Sequence, residues 1–136
     1  MLPSSLSELI EDQEIIVRFL TQRGQFNKIT AKPAAFMPDH KSKETSVSRH
    51  GPEPSEMLWE LGRFAAGDRT LYGATFITAG KIRGNKLDVF TAEPPPRHAA
   101  IRNWPWEDDP EFQKAKQKDL ALGLASDSDP LLLINP

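Results

Sequence analysis

"TLYGATFITAGKIRGNKLDVF", residues 70–90, decides the fold class. Two β-prone runs, TLYGATFITAGKI and KLDVF, flank Arg83-Gly84-Asn85, and a glycine-bearing turn between such runs reads as a hairpin. Leu71, Gly73, Thr75 and Ile77 alternate with Tyr72, Ala74, Phe76 and Thr78, so both faces of the first strand look partly covered. A hairpin makes the sheet mainly antiparallel.

Upstream, ETSVSRH (44–50) is a short strand, with Thr45, Val47 and Arg49 on one face and Ser46, Ser48 and His50 on the other. Gly51-Pro52 ends it. Ser55 caps a helix over about 56–66 whose apolar side is Met57, Leu58, Leu61, Phe64 and Ala65, with Trp59 near its edge and Gly67 as the stop. Further upstream, Ser5-Leu6-Ser7-Glu8 fits a capping box, and Leu6, Leu9, Ile10, Val17 and Leu20 recur at helical spacing. This predicts a helix over about 6–22, although the β-branched Ile15, Ile16 and Val17 weaken its middle. Residues 25–43 show neither period and carry prolines at 33 and 38. Their Phe26, Ile29, Phe36 and Met37 predict an ordered loop pinned to the core.

Downstream, Asp109 caps a last helix from Pro110, a favoured first-turn proline, to about Leu124. LLLI (131–134) reads as a buried strand, or as an apolar tail that needs a partner. The order is helix, loop, strand, helix, hairpin, helix, strand. It predicts an α+β fold: a small mainly antiparallel sheet with about three helices packed on one side, in one domain over residues 1–136.

Composition narrows the function classes. The 136 residues include 17 Lys and Arg against 19 Asp and Glu, a net charge of −2, and no cysteine. Disulfides, thiolate nucleophiles and Cys-based metal sites are excluded, and a reducing cytosol is the expected location. The acidic start MLPSSLSELIEDQE is unlike a signal peptide, and no apolar run approaches the ~20 residues that span a bilayer. The charge is segregated. Residues 23–50 carry six Lys or Arg against two acidic residues, and residues 81–102 carry five against two. If these stretches meet, one face attracts an anion.

Walker A, GxGxxG, HExxH and GxSxG motifs are absent, and His40, His50 and His98 lack metal-ligand spacing. No metal and no cofactor is expected. The candidates are two Arg-His pairs. Arg97-His98 follows Pro94–Pro96, which favour a polyproline II rod able to fix Arg97 over a phosphate or carboxylate, with His98 as donor or general acid. Arg49-His50 closes the short strand, and Lys32 sits in the upstream loop. Each has a plain structural alternative: a solvated cation and a histidine bonded to backbone. Trp104-Pro105-Trp106 is either core or a partner surface.

Three stretches together, AKPAAFMP (31–38), ETSVSR (44–49) and PPPRHAAIRNWP (94–105), resemble a family of small bacterial proteins without assigned function. In that family a Lys-Pro-x-x-Phe-x-Pro loop, a Ser-Val-x-Arg strand and a Pro-Pro-Arg-His-Ala segment recur. The resemblance spans roughly residues 15–125 and implies no activity, but it places Lys32, Arg49, Arg97 and His98 inside the recognisable segments.

Three functional expectations follow. The leading one is a non-catalytic module that binds a nucleotide, a phosphate-rich ligand or an acidic protein surface through Lys32, Arg49, Arg97 and His98. The second is a subunit of a homo-oligomer or larger assembly, using Trp104, Trp106 and LLLI as contacts. The third is a small metal-independent nucleotide or RNA hydrolase with His98 and His50 as acid and base. A membrane partner is not expected.

Overall fold

A computed structural model describes residues 7–50, 56–94 and 96–134. Strands β1 (Ile15–Leu20), β2 (Thr45–Arg49), β3 (Gly73–Thr78), β4 (Asp88–Thr91), β5 (His98–Arg102) and β6 (Leu132–Leu133) form one antiparallel sheet in the order β4-β5-β2-β1-β3-β6. Helices α1 (Glu56–Ala66), α2 (Ala79–Gly84) and α3 (Pro110–Asp127) pack on it. This is the α+β class expected from the sequence. The path of the chain differs in four places.

Residues 15–20 form a strand, where a helix over 6–22 was expected; the capping box begins at Ser5, outside the described residues. Ile16 and Leu20 enter one apolar cluster while Val17 and Phe19 enter another. A strand covered on both faces reads as a near-continuous apolar run, which also satisfies a helical template. The three consecutive β-branched residues decide for the strand.

The hairpin expected over 70–90 does not form. Ala79–Gly84 coils into α2, and the Thr78 hydroxyl caps it by accepting the Lys81 N–H. β3 pairs with β1 and β6, whereas β4 lies at the far edge beside β5. The true hairpin is β4–β5, closed by an Ala92 N–H bond to the His98 carbonyl at 2.9 Å. The proline segment is the loop of this hairpin. Its Glu93–Pro94 peptide is cis, residues 96–97 form a turn where a polyproline II rod was expected to lead into Arg97, and Pro95 lies outside the described residues.

The helices cover both faces of the sheet. α2 and α3 join Ile16, Leu20, Val47, Ala99 and Ile101, while α1 packs on Val17, Phe19 and Ala74. LLLI is an edge strand. Leu132 and Leu133 are 43% and 45% exposed, held by two residues of pairing to β3. The close approach needs a glycine: a Cβ at Gly73 would lie 2.6 Å from the Leu132 carbonyl oxygen.

The remaining elements follow the sequence. β2, α1 and α3 fall where the patterns put them, with Gly51-Pro52 and the Ser55 cap lying outside the described residues, and Asp109 caps α3 by accepting from the N–H groups of Glu111 and Phe112. The loop over 25–43 is pinned by the fully buried Phe36 and by Phe26 and Met37, while Ile29 stays exposed.

Candidate functional site

Antiparallel register brings the two Arg-His pairs together. Ser48 lies opposite His98, and the Arg49 N–H donates to the Arg97 carbonyl at 2.9 Å. The two arginines, however, face inward. Arg49 is 1% exposed and grips the Glu14 carboxylate through Nε and Nη2 at 2.5 and 2.6 Å. Its Nη1 donates to the carbonyl of Ser7 and to the Thr91 hydroxyl. Arg97 is fully buried, and its Nη1 donates to the His50 carbonyl at 2.8 Å. Both guanidiniums thus tie the N-terminal segment and the β2 end to the sheet. Lys32 is exposed on its loop, with its backbone N–H on the Gln25 carbonyl. His50 packs edge-on against Phe76. Trp104 is buried, with its indole N–H on the Ile101 carbonyl, and half-buried Trp106 lies under the Lys43 ammonium.

His98 is different. Because Arg49 and Arg97 form a hydrogen-bonded pair, Ser48 and His98 form the closer, non-hydrogen-bonded pair. The His98 Nδ1 lies 2.9 Å from the Ala92 carbonyl, which can only accept. Nδ1 therefore carries a proton, and Nε2 is the ring nitrogen left for other partners.

His98 and Ser48 line a cleft of about 220 Å³ between the sheet and α1. The cleft opens where β1 and β2 separate: their pairing stops at Val17 opposite Ser48. Arg18 fills the gap. Its Nε donates to the Ala35 carbonyl at 2.6 Å and its Nη1 to the Ser46 carbonyl at 2.9 Å. Arg69 lines the same cleft and closes the end of α1 by donating to the carbonyls of Ala66 and Ala65, each at 3.0 Å. Burial and the nearby Arg69 charge push the Arg18 pKa down to about 10, so its guanidinium remains cationic at neutral pH. Among the described residues neither is in an ion pair. Phe19, Leu61 and the exposed Phe64 give the cleft an apolar wall. Ser48 is buried at 4% exposure, yet its hydroxyl has no protein partner among the described residues.

A buried hydroxyl without a partner and two unneutralised guanidiniums in one concavity are the arrangement an anion relieves. Sequence reasoning found His98 and missed the rest. The cation in the apolar run IIVRFL (15–20) was the available signal for Arg18, since a charge in a strand covered on both faces needs local acceptors. Arg69 had no signal; only the close of α1 places it.

Among the described residues no group of His, Asp and Glu could hold a metal ion, and no helix is long and apolar enough to cross a membrane. No family model, curated protein or solved structure matches the chain.

Proposed function

We propose that the protein binds a small ligand with an anionic group on an apolar body, in the cleft between the sheet and α1. The observation that carries this is the Arg18–Arg69 pair, two like charges lining one concavity and, among the described residues, hydrogen-bonded only to carbonyls. The unpartnered Ser48 hydroxyl supports it independently. The anion-binding role expected of Arg49 and Arg97 passes to Arg18 and Arg69, and His98 stays as a donor or acceptor on the rim. Titration calorimetry with hexanoate, hexyl phosphate and hexanol tests the reading. Either anion should bind and hexanol should not, and Arg69→Ala should weaken anion binding about tenfold or more, the usual worth of a hydrogen bond to a charged group. Equal binding of hexanol, or no effect of Arg69→Ala, refutes it.

A second reading has one specific observation behind it. The Nδ1–Ala92 bond holds His98 in the tautomer whose Nε2 accepts a proton, with Ser48 directly opposite. That is a positioned general base beside two cations suited to a phosphate. Under this reading the metal-free protein cleaves a phosphodiester such as RNA, and His98→Ala lowers the rate by about 10²–10⁴. An unreactive wild type, or an active His98→Ala variant, removes it. His50, held against Phe76, is not among the residues lining this cleft.

A further inference from the structure

The cleft does not end at Arg18. A second concavity of about 280 Å³ opens against the loop that follows β1 and the turn before β2. The two share Arg18, Thr21, Ser46 and Arg69 as walls. Each alone is smaller than the about 300–1,000 Å³ typical of small-molecule sites, and the two joined fall within that range. A ligand that reached from one into the other would be of ordinary size for such a site.

Their chemistries differ. The first is apolar, walled by Phe19, Leu61 and Phe64. The second is polar and carries the carboxylates of Asp39 and Glu44 and the amide of Gln25. Glu44 is already bound to Arg102 at 2.8 Å. Asp39 is exposed at the mouth of this concavity: its Oδ1 accepts from the N–H groups of Lys41 and Ser42, at 2.8 and 2.9 Å, and the Ser42 hydroxyl and the Lys41 charge add to the hold on the carboxylate. Those backbone bonds keep the carboxyl below its usual range and therefore anionic at neutral pH. Gln25 is buried at 6% exposure. Its Oε1 accepts from the N–H groups of Thr21 and Gln22, while its Nε2 has no protein partner among the described residues. The two adjoining concavities thus offer an apolar wall, a pair of cations between them, an amide donor and an anion.

We propose, building on the anion-binding reading above, that the ligand is a short zwitterionic peptide. Its apolar C-terminal side chain would lie on Phe19 and Leu61, its carboxylate between Arg18 and Arg69, and its peptide carbonyl on the Gln25 amide. Its ammonium group would face Asp39. A simple fatty acid or alkyl phosphate would fill only the first concavity and leave the buried Gln25 amide without a partner.

Glycyl-leucine and N-acetylleucine differ only in the ammonium group, so the pair isolates the Asp39 end. In titration calorimetry glycyl-leucine should bind about tenfold tighter than N-acetylleucine. Asp39→Asn, which keeps the Oδ1 acceptor of the turn, should bring the two within about twofold while N-acetylleucine binds as before. Equal binding of the two by wild type, or an undiminished preference in Asp39→Asn, overturns the proposal. Failure of the underlying reading shows separately, as loss of any difference between hexanoate and hexanol or between wild type and Arg69→Ala. Binding of hexanoate at its cation pair together with rejection of glycyl-leucine sinks the peptide and leaves the anion site standing.

Discussion

Arg49 and Glu14 form a two-bond ion pair in which the guanidinium is almost wholly removed from solvent and the carboxylate only partly so. Removing Glu14 leaves a buried cation facing one carbonyl and one hydroxyl. Breaking a buried pair from one side costs about 3–5 kcal/mol, more than the pair itself adds to stability. Glu14→Ala should lose about 3 kcal/mol in urea unfolding, and Glu14→Gln, which can still accept one bond, should lose less. A neutral effect of Glu14→Ala would mean that water reaches Arg49.

Gly62 sets how near α1 comes to the sheet. A Cβ there would lie 2.7 Å from the Phe19 ring and 2.9 Å from Leu71. Gly62→Ala should destabilise by roughly 1–3 kcal/mol through overpacking. Because Phe19 and Leu61 wall the cleft, the variant should also bind hexanoate more weakly. Unchanged stability and unchanged binding together would show that α1 moves away without cost.

Acid should weaken the corner where α2 meets β4. Burial works to raise the Asp88 pKa, but hydrogen bonds from Arg83 and from the Val89 N–H outweigh it, and the net shift is downward. A carboxyl with a depressed folded pKa adds stability above its unfolded value near 3.9, and that stability is lost as the pH falls through the folded value. Asp88→Asn should therefore melt below wild type at pH 7, and the gap should narrow as the pH falls below the unfolded value near 3.9. Arg83 keeps its second partner, Asp12, at 2.6 Å, so the variant should stay folded. A gap that does not vary with pH rules out the charge as its source.

Deleting residues 131–136 tests the edge position of β6. Two half-exposed leucines and the partly buried Leu131 are worth about 2 kcal/mol between them, a small part of an ordinary domain's stability. The truncated chain should keep its sheet by circular dichroism and melt roughly 5–10 °C lower. Failure to fold would place these leucines in the core. Unchanged melting would mean that β6 adds nothing to the sheet.

What could be read ahead of the structure depended on how local its cause was. Asp109-Pro110 and Gly67 act within one turn, and α3 and α1 begin or end where they say. The class of the fold survived two misplaced elements, because an antiparallel sheet with helices needs only that strands and helices alternate irregularly. β1 was misread because cover on both faces erases the period-2 signal. The hairpin was misread because AGKIRG can end a strand or start a helix, and only the Thr78 cap and the pairing of β4 with β5 choose between them. At the site, composition pointed to Arg49 and Arg97, and pairing geometry turned both inward. The cations of the cleft came instead from Arg18, inside an apolar run, and Arg69, beyond a helix end.

The crossing made by α2 has a kinetic consequence. β3 and β4 are neighbours in the chain, yet four places apart in the sheet, so their proximity in sequence gives folding no early contact. Among the described strands only β4–β5 can zip through a short loop; β1–β2, β2–β5, β1–β3 and β3–β6 each close a longer one first. Loop closure must be met before such pairings are rewarded, which slows folding toward the millisecond-to-second range of β-rich domains. The β4–β5 hairpin is the natural early unit. The strands that hold Arg18 come together late, so the cleft is among the last features of the chain to exist.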